Sequence, residues 1–108
     1  MIQQAQKDKE KFVSENLKDI VLSMLREQPM CGYDLIKAIF QRHDVVVSQG
    51  RVYPLLYSLE GRGLLAMAKQ EGERSKVYTL TDEGKRAAER EVQEFVKAQR
   101  YLLESIRK

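Results

Sequence analysis

Arg51, Arg62, Lys69, Arg74 and Lys76, interleaved with Ser48, Gln49, Tyr53 and Tyr57, are residue types suited to gripping a polyanion. Cations beside phosphates release condensed counterions, and amide, hydroxyl and guanidinium groups can read base edges. Arg51 has two open readings, a guanine contact or a phosphate contact. Each cation taken alone also fits an ordinary solvated surface, and Tyr53 and Tyr57, four residues apart, could bury their rings and leave only hydroxyls outside. The chemistry of an enzyme is missing. There is no Ser/His/Asp or Cys/His set and no phosphate-cradling glycine motif, so neither catalysis nor a cofactor is expected. His43 has no second ligand at metal-binding spacing, which argues against a structural metal. Cys31 is the single cysteine; it reads either as a small packing residue or as an oxidant-sensitive thiol near a helix N-terminus.

These side chains need elements to position them. Residues 2–15 are polar helix formers with few apolar points, so a helix here requires a partner surface. Leu17, Ile20, Val21, Met24 and Leu25 fall at helical spacing, with Asn16 as the expected N-cap and Pro29 just past the end. Residues 31–42 repeat the pattern through Leu35, Ile36, Ile39 and Phe40, and the short gap makes the two helices neighbours. Val45, Val46 and Val47 are expected to add an edge strand. Ser48 should cap the next helix, whose apolar positions Val52, Leu55, Leu56 and Leu59 leave Gln49, Arg51, Pro54, Ser58 and Arg62 facing out. Pro54 inside it removes one hydrogen bond and reads first as a packing feature. Two extended runs, 64–69 and 75–80, flank a polar loop with a glycine and predict a hairpin. Thr81 then caps a long last helix in which Ala88, Val92, Phe95, Gln99, Leu102 and Ile106 form a heptad seam, with Gln99 suited to setting register. The seam pairs with a second copy or folds back on its own domain; so small a chain favours pairing.

Helix, helix, short strand, helix, hairpin and long helix is the order of a winged helix-turn-helix, a mainly α (α+β) fold. Four stretches sharpen this: Pro29 to Ile36, Gly50 to Glu60 with its run Val-Tyr-Pro-Leu-Leu-Tyr-Ser-Leu-Glu, Gly63 to Leu65, and Arg74 to Gly84. Over roughly residues 17–86 the chain resembles the PadR-like transcriptional regulators. The resemblance implies a homodimeric repressor on a palindromic operator in double-stranded DNA, with most of the dimer contact from the single C-terminal helix. The expected DNA-facing set is Tyr33, Ser48, Gln49, Gly50, Arg51, Tyr53, Pro54, Tyr57 and Arg62, with Lys69, Arg74 and Lys76 on the wing. The expected dimer face is Phe12, Ala88, Val92, Phe95, Val96, Gln99, Leu102, Leu103 and Ile106. A small-molecule effector cavity near Phe95 and the N-terminal helix is implied as well. The chain departs from the family pattern at Cys31, where histidine is common, and at Gln49-Gly50-Arg51, where Pro-Gly-Thr is common. Its last helix has no tryptophan, only Phe95 and Tyr101 as aromatics.

Composition agrees and narrows little. The 108 residues allow one compact unit, divided as an N-terminal helix (1–16), a winged core (17–80) and a C-terminal helix (81–108). The net charge of +3 is spread thinly, so placement of the cations matters more than their total. No apolar run reaches membrane-spanning length, the first residues lack a secretory pattern, and a lone cysteine suits a reducing compartment, so a cytoplasmic location is expected. The alternative to a DNA binder is a winged helix used to bind a partner protein.

Overall fold

A computed structural model describes residues 2–69 and 76–107. In chain order it contains α1 (Ile2–Glu15), α2 (Leu17–Glu27), β1 (Met30–Cys31), α3 (Gly32–His43), α4 (Gln49–Gly61), β2 (Leu65–Lys69), β3 (Lys76–Leu80) and α5 (Asp82–Arg107). The three strands form one antiparallel sheet in the order β1-β3-β2.

The third strand of the sheet is not the valine run. Met30 and Cys31, in the tight turn between α2 and α3, pair with Tyr78 and Val77, while residues 45–47 stay outside the ladder. Val45 and Val47 are buried and Val46 is exposed, so the run alternates like a strand but spends its apolar faces on the core. A strand of two residues carries no period, which is why hydrophobic patterning passes over it.

The helix ends sort into correct and incorrect caps. Thr81 caps α5 as expected: its Oγ1 accepts from the Gly84 N–H at 3.0 Å and donates to the Gly63 carbonyl at 2.7 Å, tying the end of α4 to the start of α5. Asn16 turns the other way, its Nδ2 donating to the Phe12 carbonyl at 2.9 Å, so it closes α1 instead of capping α2. Ser48 stands at the N-cap of α4 with no side-chain cap bond; only its carbonyl accepts, from Arg51 and Val52 N–H. Cys31 Sγ takes the capping role on α3, accepting from the Asp34 N–H at 3.4 Å, so the thiol is engaged structurally.

Leu22, Met24, Leu35, Ile39, Leu56, Leu59 and Tyr78 are the large side chains of the core, and Val13 reaches it from α1. Each fully buried aliphatic or aromatic group contributes roughly 1.5–3 kcal/mol. Gly84 sits where α5 crosses the hairpin so closely that an added Cβ would lie 2.0 Å from the Leu64 carbonyl oxygen. Only the first turns of α5 are buried, through Gly84, Ala87 and Ala88. Beyond them the helix stands clear, which accounts for a long axis of 58 Å. No helix among the described residues is long and apolar enough to cross a membrane.

Candidate nucleic-acid interface

The outward side of α4 and the adjoining wing form one surface. Val52, Leu56 and Leu59 face the core, and their burial turns Gln49, Gly50, Pro54, Tyr57 and Ser58 outward. The helix continues through Pro54, which is exposed. Tyr53 is half-buried and packs its ring on Gly32; a Cβ there would meet Tyr53 Cε1 at 2.6 Å. The start of α3 is thereby held against α4 by a tyrosine that only the absent side chain of Gly32 can admit. Tyr57 is half-exposed and carries Lys76 Nζ over its ring at 5.7 Å, which joins α4 to the wing strand β3.

A second pair of this kind stands at the start of α3. Tyr33, 58% exposed at the start of α3, has Lys37 Nζ 5.5 Å from its ring centroid. Lys37 escaped the sequence reading, although its four-residue spacing from Tyr33 was the available signal.

Not every expected residue joins this surface. Arg51 points its guanidinium at α1: Nη1 donates to the Ser14 hydroxyl and Nη2 to the Ser14 carbonyl oxygen at 3.2 Å. Ser14 lies 37 residues away, so no local spacing could reveal it. Arg62 is at the far end of α4, where its charge acts on Glu91 of α5. Lys69 ends β2 opposite Lys76; its side chain and the whole of Arg74 lie outside the described residues.

On the other side of the molecule α5 exposes an apolar row of Val92, Phe95, Val96, Leu102, Leu103 and Ile106, with Gln99 exposed among them. Ala88, expected in this row, is buried in its own core and is not open to a partner. The two readings of the seam therefore divide the helix: its first turns pack on their own domain and the remainder is exposed among the described residues. Phe12 of α1 and Val92 and Phe95 of α5 border a cleft of about 410 Å³ that also includes Asp19, His43 and Glu91. Glu91 Oε1 pairs with Lys18 Nζ at 2.8 Å. The hydrogen bond to Glu91, then burial, pushes the Asp19 carboxyl up to about 6. Burial alone would raise Glu91, but hydrogen bonds from Asp19 and Lys18 outweigh it and hold this carboxylate below its ordinary value. Among the described residues no three His, Cys, Asp or Glu side chains gather as a metal site.

A family model described as "Transcriptional regulator PadR-like family" matches residues 21–90. The chain belongs to the PadR-like family. A PadR family transcriptional regulator from Eggerthella lenta is 34% identical, with a TM-score of 0.66 over 86% of this chain and 79% of the other. A transcriptional regulator from Clostridium thermocellum aligns at 23% identity and a TM-score of 0.77, covering 87% and 93% of the two chains. A PadR family regulator from Clostridium difficile aligns at 23% identity and 0.74, over 84% and 98%. No relative was found among curated proteins. As a PadR-like protein the chain is a DNA-binding transcriptional regulator with a winged helix, not an enzyme.

Proposed function

We propose that this PadR-like protein is a cytoplasmic repressor that binds a palindromic operator as a homodimer, with α4 in the major groove and the hairpin wing along the backbone. The observation that carries the reading is the outward row of α4, Gln49, Tyr57 and Ser58 among polar and small neighbours, contiguous with the wing cation Lys76. A helix fits the ~12 Å major groove, and side chains of its first turns reach base edges. Ser48, Gln49 and Gly50 are positioned for the base edges; Tyr33, Tyr57, Lys69, Arg74 and Lys76 hold phosphates. Tyr53 and Pro54 shape the helix face that enters the groove. Arg62 guards the far end of α4.

The second half-site is read by a second copy. Six large apolar side chains in one exposed row on α5, continued by Phe12, support pairing there. The cleft beside Phe12 and Phe95 opens on the same face and suits a small-molecule effector whose binding alters how two copies meet.

Fluorescence titration with random duplex DNA at low and moderate salt tests the reading. A DNA binder shows salt-sensitive affinity even without its operator, whereas a winged helix that binds only proteins shows none.

A further inference from the structure

We infer that Arg51 sets the spacing between the two half-sites of the operator, and not the identity of a base, by capping the C-terminal end of α1. The inference rests on the proposed reading of the protein as a dimeric operator binder. Arg51 is the third residue of α4, inside the turn assigned to the groove. Its Nη1 and Nη2 both go to Ser14, in the last turn of α1. Carbonyls in a helix's last turn have no partner within the helix, and the dipole there is negative, so a guanidinium suits the place twice over. The Phe12 carbonyl is satisfied locally by Asn16, through its backbone N–H at 3.1 Å and its Nδ2. The Ser14 carbonyl is satisfied from the DNA-reading helix.

Besides Arg51, the ties that hold α1 among the described residues include its packing on α2, Val13 in the core, and Gln6 Nε2, which donates to the Asp44 carbonyl at 3.0 Å. A two-pronged guanidinium bond fixes direction as well as distance, which a single-point contact does not. Arg51 is thus a strut between α4 and α1. One residue pair further up α1, Phe12 is 51% exposed beside Val92 and Phe95, on the face a second copy would cover. The seating of α1 against the partner is therefore transmitted to the tilt of α4, and tilt sets how far apart the two reading helices lie. Half-site separation is a geometric property of this kind in dimeric helix-turn-helix proteins. The Nη1–Nη2 edge, having been spent on Ser14, is unavailable for a two-pronged contact with guanine.

Selection of bound duplexes from a randomised pool, carried out with wild type, Arg51→Ala, Arg51→Lys and Ser14→Ala, tests this. The wild type should enrich paired half-sites at a single spacing. Arg51→Ala should keep the half-site bases and lose the single-spacing preference. Arg51→Lys should weaken the preference as well, since an ammonium lacks the rigid planar fork that fixes the direction of the contact, and it carries the test if the alanine variant fails to fold. Ser14→Ala, which leaves the carbonyl in place, should lose less of the preference. Thermal unfolding and light scattering of each variant establish that a folded dimer was selected. A changed base at one position of each half-site with the spacing kept would overturn the inference and make Arg51 a base reader. Spacing and bases both unchanged would overturn it as well. Failure of the wild type to enrich any paired motif would instead overturn the operator reading on which the inference stands.

Discussion

Two buried polar groups make opposite demands on their surroundings. The Tyr78 hydroxyl is buried with no hydrogen-bond partner among the described residues, and burial, then the nearby Glu60 charge, raises the tendency of this phenol to stay protonated. An unsatisfied buried hydroxyl costs about 1–3 kcal/mol, so Tyr78→Phe should stabilise the fold by about 1 kcal/mol, read from the urea midpoint. A lower midpoint would mean that the hydroxyl has a partner after all. Among the described residues Glu91 Oε2 is also without a hydrogen-bond partner, and a proton carried by Asp19 answers it. The sign of the pH effect follows. Asp19 binds its proton more tightly when folded, up to about 6 against an ordinary 3.8, so its contribution is complete below 3.8 and is lost as pH rises through about 6. Glu91, held below its ordinary 4.5, contributes above that value and loses this as pH falls through its lowered pKa. Wild-type stability should therefore decline between about pH 4 and 6 relative to Asp19→Asn, which keeps an uncharged donor; parallel pH curves for the two would remove the shared proton. At the wing, Lys76→Ala should weaken binding to all sequences and lower the salt slope by about one unit per monomer, measured by titration at several salt concentrations.

At the scale of elements, the crossing of α5 over the hairpin depends on Gly84. A Cβ against the Leu64 carbonyl meets backbone, which cannot swing aside. Gly84→Ala should cost about 1–3 kcal/mol or more in chemical unfolding. Gly61→Ala, at the end of α4 with open space around its Cα, should be neutral or stabilising by up to about 1 kcal/mol. The helices were legible because Leu17 to Leu25, Leu35 to Phe40 and Val52 to Leu59 repeat apolar residues at helical spacing, and Thr81 with Asp82 and Glu83 announced the start of α5. What the sequence hid was non-local. Met30–Cys31 becomes a strand only because β3 lies beside it, and the Asn16 side chain bonds back to the Phe12 carbonyl of α1 instead of capping α2. The candidate site divides in the same way: the outward row of α4 followed from periodicity, while the engagement of Arg51 by Ser14 and the packing of Tyr53 on Gly32 needed elements brought together across the fold.

For the whole molecule the decisive question is what covers the far part of α5. Light scattering at micromolar concentration should give twice the 12.6 kDa chain mass. Replacing Leu102 and Ile106 together by aspartate should return the mass to one chain with little loss of helix, because these side chains touch solvent and not their own core. A monomeric wild type would leave the apolar row to another kind of partner. The projecting helix also has a consequence for gene dosage. A reader assembled from two identical halves, each complete for only half of its target, responds to the square of its own abundance wherever copies are scarce. In the proposed dimer, halving the number of chains in a cell would cut promoter occupancy nearly fourfold, and the exposed row on α5 would make the regulator's own expression level a steep control on the genes it governs.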